Sequence, residues 1–498
     1  MTPQEIADAQ ILAAAIKVVV PPAEDLPLDG DGLSRLLRTA GVVTGGIDPV
    51  RGAVVGLTVP GVQASEALAR SLRDRHGDLG KRAANTTVAN LIRGYALKAW
   101  SAHGGRLTAA DCTALEQAVL SWLSAQGQTR RHYVPCTLFA YRIESFPVGP
   151  VRFHHLHDMP TASMIGTREE FWPTPPKPVW RDRLRNAFAI LRGKDLAVPQ
   201  ADTFGQVPGG FYYRDLVRLC QERHAWWIAE VEVPGREEAQ SVVTADFAAN
   251  IALAALTLAL PGDELRTIAR ASERARSVWR VDVWTGTETH GSRNSNHEPG
   301  RTLSPDVIAR GLQSQARLLE SMGRRLESYV AGRGALPNLN ESWCNAAYWF
   351  HEALLENVEG VAVAQFETAM EVLFSTASTK ISTGRLMEAM AGLLGMAEGD
   401  PIAPNSPVTV KTFVSSIVTA RSRVLHGTWP TLSGELPLSV RISDVETLAR
   451  TLLTAMSLTL DAYEAAGRTE DDIRDFLDWA TAQRIAAAAA STSPSAER

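Results

Sequence analysis

The residues of this chain best suited to chemistry are Arg421 and His426, which bracket the run Arg421-Ser-Arg-Val-Leu-His426 and are followed at once by Gly427. Counting back at helical spacing, Val410, Val414, Ile417 and Val418 form one apolar stripe, which Leu425 extends beyond the arginine. Arg421 thus stands where the pattern asks for an apolar residue, so its guanidinium should face the core or a partner surface. Burying that charge is costly unless a partner neutralises it. Cleavage of RNA is one reason to accept the cost. RNA carries its own nucleophile, the 2′-OH, which leaves a protein to move protons and to stabilise charge on the phosphorane. Histidine suits the first task because it titrates near neutrality. Arginine suits the second because its planar fork holds two phosphate oxygens and stays charged.

An element must position this pair. A five-residue step turns roughly 140° along an ideal helix, so the two side chains would not share a face in mid-helix. Gly427 and Pro430 end the predicted helix just after the histidine, and His426 can swing from its last turn. The helix C-terminus favours the protonated imidazole there. Two such helix ends related by a two-fold axis would form one composite cleft. On this reading Arg421→Ala or His426→Ala abolishes RNA cleavage and leaves the fold intact. The spacing by itself is not distinctive, since Arg70/His76, Arg152/His157 and Arg218/His224 fit it as well. The structural alternative is that Arg421 forms an ion pair with Glu371 and His426 only precedes a glycine cap.

Other residues invite chemistry less strongly. His154, His155, His157 and Asp158 suggest a metal, but without matching cysteine or carboxylate spacing they read as structural or surface residues. No metal or cofactor is expected. Trp226-Trp227 and the group Trp343, Tyr348, Trp349 and Phe350 read as core rather than as stacking platforms. Lys380, Arg385 and Lys411 could guide RNA phosphates, although exposed lysines and arginines on helices usually do nothing specific. The glycines between Gly41 and Gly61 lack the strand-to-helix context of a nucleotide-binding loop.

At 498 residues the chain has room for several domains, each with its own core. A net charge of -5 gives no global nucleic-acid signature, so an RNA site must be a local patch. The four cysteines, Cys112, Cys136, Cys220 and Cys344, form no C-x-x-C pair and fit a reducing compartment. The apolar patch Ile11 to Val20 is short and broken by Lys17, and is read as neither signal peptide nor membrane span. A cytoplasmic protein is expected.

Periodicity divides the chain into four stretches. Residues 1–128 read as mostly helical, with helices over Thr86–Trp100 and Thr108–Gln126. Residues 129–300 read as an α/β region. Its strands are His132–Phe146 and Pro150–His157, meeting at a Pro-Val-Gly-Pro turn, then Trp226–Val233 and Val278–Trp284, with a helix over Ala245–Leu258. Thr285–Arg301 is polar and reads as a loop. Residues 301–485 read as an all-α bundle of seven helices, the first running unbroken from Ser304 to Gly332 and the fifth starting at Ser406-Pro407. Residues 486–498 read as a disordered tail. The expected fold class is multidomain, a mixed α/β (α+β) region followed by a C-terminal helical bundle.

Three runs in that bundle carry a family likeness: Asn345-Ala-Ala-Tyr-Trp-Phe-His-Glu-Ala-Leu354, Phe366-Glu-Thr-Ala-Met-Glu-Val-Leu-Phe374, and Arg421-Ser-Arg-Val-Leu-His-Gly427. In order and spacing, Trp343 to about Ala466 resembles the ApeA-like branch of the HEPN superfamily. The segment from Tyr133-Val-Pro to Val148-Gly-Pro-Val-Arg-Phe153 also looks like the strand-rich portion that often precedes this domain. The resemblance implies a helical bundle that pairs as a homodimer, and a metal-independent endoribonuclease of toxin, abortive-infection or anti-phage systems. It implies Arg421 and His426 as catalytic residues of an R-x4-6-H signature, Ser422 as the polar residue after the arginine, and Glu371 as the acidic residue of the third helix. Met370 stands where leucine is usual, a change that keeps volume. The implied partners are an RNA substrate, tRNA among the candidates, and a phage-derived trigger sensed by residues 1–300, with no membrane. The alternative is a non-catalytic HEPN module for dimerisation or partner binding.

Overall fold

A computed structural model of the chain describes residues 1–20, 37–47, 54–103, 106–158, 216, 218–220, 222–223, 225–260, 262, 265–271, 279–285, 290–296, 303–375, 379–403, 406–428 and 441–492. The protein is a mixed α/β molecule in which helices predominate, and it divides into two compact units. The first comprises Met1–Arg130, Val233–Thr244 and Ala331–Arg333; the second comprises Arg131–Glu232, Ala245–Val330 and Gly334–Arg498.

The first unit contains α1 (Pro3–Ala14), β1 (Ile16–Val20), β2 (Thr44–Ile47), β3 (Val54–Leu57), α2 (Val59–Arg75), the single turn α3 (Gly77–Gly80), α4 (Asn85–Ala102) and α5 (Ala109–Ser124). Thr2 and Thr108 open α1 and α5 with reciprocal capping boxes to Glu5 and Asp111. Leu12, Leu68, Leu72, Val88, Ile92 and Leu115 meet in its core. A mostly helical reading of this stretch needs one amendment, an antiparallel sheet in the order β1-β3-β2. The apolar patch broken by Lys17 is the end of a helix followed by a strand of that sheet, with Lys17 opposite Gly56.

Most of a five-stranded sheet falls in the second unit: β4 (Thr129–Thr137), β5 (Phe146–Val148), β6 (Val151–His155), β7 (Trp227–Pro234) and β8 (Ala269–Arg270), in the order β5-β6-β7-β4-β8. The helix α6 (Glu238–Ala259) follows β7. The expected single strand over 132–146 is really two. β4 pairs with β8, whereas β5 turns back onto β6, with Val148 opposite Val151 across the Gly149-Pro150 turn. The polar stretch after Thr285, read as a loop, contains the strand β10 (His290–Asn296), antiparallel to β9 (Trp279–Thr285). Ladder hydrogen bonds belong to the backbone, so a two-stranded ribbon forms there without apolar alternation. The helix α6 is apolar and long enough to cross a membrane, but 78% of its apolar window is buried inside the protein, which makes it a core helix.

The helices α7 (Pro305–Ser314), α8 (Ala316–Ala331), α9 (Pro337–Leu355), α10 (Glu359–Leu373), α11 (Thr379–Ala389, continued by a π turn over Met390–Leu394), α12 (Val410–Leu425), α13 (Ile442–Ala465) and α14 (Ile473–Thr492) complete the unit. The long first helix expected from Ser304 is interrupted at Gln315, whose φ of -101° and ψ of 11° leave the helical region. The alanine run expected in a disordered tail extends α14 to Thr492, as the helix preference of alanine favours. Trp343 donates its indole N–H to the Leu453 carbonyl at 2.9 Å, and the Phe350 and Phe366 rings lie 5.5 Å apart, tying α9 to α13 and α10. Trp227, Trp343 and Phe350 are core residues, while Trp226, Tyr348 and Trp349 are part-exposed.

Candidate active site

The C-terminal half of α12 is set against α10 by size as much as by polarity. Val410, Val414, Ile417 and Val418 are buried as one stripe, and the small Ala420 meets Val363 of α10 with Val424 and Ile442 beside them. Thr409 caps the helix by accepting a hydrogen bond from the Thr412 amide, so α12 starts after the Ser406-Pro407 pair rather than at it. This packing brings Arg421 over the acidic face of α10. Its Nε lies 3.1 Å from Oε2 of Glu367, and its Nη2 lies 2.9 Å from Oε2 of Glu371. Glu367 and Glu371 share that face because they are four residues apart on a helix.

The three side chains differ in depth. Glu367 is 1% exposed, Glu371 12% and Arg421 25%. The contact to Glu367 is a close approach rather than a hydrogen bond, since the Nε–H finds no aligned acceptor. Burial pushes the Glu367 carboxyl up to about 8, with the charge of Glu371 adding to the rise and Arg421 opposing it. Near neutrality Glu367 therefore keeps its proton, and Arg421 balances Glu371 alone. Its closest contacts use Nε and Nη2, and the side chain as a whole keeps a quarter of its surface exposed. The arrangement is a part-exposed cation held against an acidic helix face.

His426 forms the C-cap of α12, with its backbone N–H donating to the Ser422 carbonyl at 3.0 Å, and its side chain is exposed. Gly427, at φ +66°, donates to the Val424 carbonyl, and Thr428 donates to that of Arg423, which closes the helix end. The predicted stop after the histidine is thus present, and Ser422, part-exposed, belongs to the same turn. Leu425 is not part of the buried stripe, being 64% exposed beside the histidine.

Arg421 and Glu371 are brought together, and His426 stands in solvent one turn further on. The predicted phosphate-guiding cations are less free. Arg385 is paired with Glu388 at 3.0 Å and Lys411 with Glu398 at 3.2 Å, while the side chain of Lys380 lies outside the described residues. Of the competing arginine–histidine pairs, His76 faces Glu116 at 3.5 Å and Arg218 faces Glu222 at 3.7 Å; the His157 side chain and His224 lie outside the described residues. His154 is buried with both ring nitrogens hydrogen-bonded, His155 stands edge-on to Trp227, and Asp158 is paired with Arg142.

No known protein-family model, curated protein or solved structure matches this chain. The HEPN likeness therefore stands on the three sequence runs, and the site stands on its own geometry. Sequence reasoning missed Glu367, the deepest member of the cluster. The available signal was its place one helical turn before Glu371 in the run already singled out.

Proposed function

We propose that the chain is a metal-independent endoribonuclease of the anti-phage or abortive-infection type, with α12 as its active helix in a HEPN bundle and residues 1–300 sensing a trigger. The observation that carries this reading is a part-exposed guanidinium, paired with Glu371 and set against the buried Glu367, about one helical turn ahead of a solvent-facing histidine at a helix C-terminus. In this reading Arg421 holds a scissile phosphate oxygen and stabilises the phosphorane, Glu367 and Glu371 keep its fork from swinging, and His426 exchanges a proton with the 2′-OH or the leaving 5′ oxygen. Exposed Leu425 gives the helix tip an apolar contact for a second copy, whose own tip would complete the cleft.

The test incubates the purified full chain with total RNA, with and without chelator, and reads the fragment ends. Cleavage unaffected by chelator that leaves 2′,3′-cyclic phosphates is expected, and His426→Ala should lower its rate by about 10²–10⁴-fold without changing the circular dichroism spectrum. Undiminished cleavage by that variant would remove the assignment. A second reading, the non-catalytic HEPN module, is favoured by one fact: Glu371 already pairs with Arg421 at 2.9 Å. It predicts that any growth defect on expression survives the Arg421→Ala/His426→Ala double substitution.

A further inference from the structure

The histidine cluster of the second unit contains a hydrogen-bonded chain that the ribonuclease reading does not use. Oγ of Ser145 lies 2.9 Å from Nδ1 of His154, and Nε2 of the same ring lies 3.1 Å from Oε2 of Glu230. Strand register explains how these three meet. Phe146 pairs with Phe153 between β5 and β6, so Ser145 falls opposite His154 one step further along. Between β6 and β7, His154 pairs with Ile228 and Arg152 with Glu230, which makes Glu230 the diagonal neighbour of His154 on the same sheet face.

Proton placement follows from the partners. Beside an ionised Glu230, which only accepts, a neutral His154 ring carries its hydrogen on Nε2 and keeps a lone pair on Nδ1. In that tautomer the Ser145 hydroxyl donates to Nδ1. Arg131 stands 3.9 Å from Glu230 on the adjoining strand. Burial orders the chain from inside to outside: His154 is 4% exposed, whereas Ser145 is part-exposed and precedes β5, the outermost strand of its sheet. Base, orienting carboxylate and accessible nucleophile are in the order that nucleophilic catalysis requires.

We propose that Ser145, His154 and Glu230 form a second reactive site that accepts an acyl group from a carboxylic ester. Ser145 Oγ bonds to the acyl carbon while its proton passes to Nδ1 of His154. The carbon–oxygen bond to the alcohol then breaks, and the alcohol departs with that proton. Water attacks the acyl-serine, gives a proton through His154 to Ser145 Oγ, and the carboxylic acid is released. Ser145 and His154 are the catalytic residues, and Glu230 is a positioning residue that acts through the ring. The proposal is independent of the ribonuclease reading.

The experiment treats the full chain with a fluorophosphonate probe and locates the adduct by peptide mass spectrometry, with hydrolysis of p-nitrophenyl acetate as a second readout. An adduct at Ser145 is expected, absent in Ser145→Ala, with p-nitrophenyl acetate turnover lost in the same variant. Glu230→Gln retains a hydrogen-bond acceptor and should fold, yet should react at least tenfold more slowly, an effect a purely structural contact would not produce. His154→Gln should lose labelling altogether, and should it fail to fold, the Glu230→Gln rate still decides. Absence of an adduct at Ser145 in the folded wild type, or an unchanged rate in Glu230→Gln, overturns the proposal.

Discussion

With Nε 3.1 Å from Glu367 and Nη2 2.9 Å from Glu371, the guanidinium of Arg421 is the counter-charge of Glu371 and fills the space over the buried Glu367. Removing it leaves two carboxyl groups one helical turn apart with nothing between them, so Arg421→Ala should cost about 1–3 kcal/mol of stability, less than the full value of a buried pair because the arginine is part-exposed. Adding Glu371→Gln to that variant should restore much of the loss in a denaturant titration, whereas two independent costs would simply sum. The expectation that Arg421→Ala leaves the fold intact thus carries a stability cost from the lost ion pair. His426→Ala is the cleaner functional probe: the side chain is exposed, and the change should move stability by no more than about 0.5 kcal/mol. At this scale Arg421 and Glu371 were legible because a charge in an apolar stripe demands an opposite charge nearby. Glu367 was not, since on the same argument a second carboxylate looks surplus; burial makes it a neutral acid instead.

Helix ends and close backbone contacts decide the next scale. Gly427 adopts φ +66° with nothing within 4 Å of where a Cβ would sit, so its conformation and not its volume is required. Gly427→Val should therefore lower stability by about 1–2 kcal/mol, Gly427→Asn by clearly less, in a comparison of denaturation midpoints. The contact between Gly149 and Gly323 is of the opposite kind. A Cβ on Gly323 would stand 2.6 Å from the Gly149 amide nitrogen, because the β5–β6 turn rests on the backbone of α8. Gly323→Ala must push the turn away at about 1–3 kcal/mol, read by the same titration. Most helices were legible from apolar spacing and capping residues; the strands less so. β10 has no apolar alternation to find, and the break between α7 and α8 sits at Gln315, a good helix former that gives no stop signal. The Gly149–Gly323 contact joins two segments whose sequence separation hides it, which is why the turn from strands to helices near residue 300 looked like a boundary, although one compact unit runs across it.

For the molecule as a whole, buried acids set how stability varies with pH. Glu367 titrates near 8 when folded against an ordinary 4.5, so between those values the native state holds a proton that the unfolded chain has released. Stability must then fall as pH rises from about 4.5 towards 8, and level off beyond. Glu5 and Asp461 act in the opposite sense. Burial alone would raise both, but hydrogen bonds from Thr2 and Ser71 with the charge of Arg75 hold Glu5 below its ordinary value, and bonds from Arg324 and Ser321 with the charge of Arg325 hold Asp461 below its own. Their contribution is present above the ordinary carboxylate range and is lost as pH falls through their folded values. The two limbs meet in mildly acidic solution, so the second unit, which holds both Glu367 and Asp461, should be most stable at about pH 5. Urea titrations at pH 5, 6.5 and 8 followed by tryptophan fluorescence would trace this, because Trp343 and Trp227 lie in the core of that unit. Glu367→Gln cannot ionise and should abolish the alkaline decline while leaving the acid limb in place. A wild type at least as stable at pH 8 as at pH 5 would mean that Glu367 is ionised beneath Arg421. The cluster would then carry one negative charge facing any approaching phosphate, and the guanidinium could no longer serve as the cation that the ribonuclease reading requires.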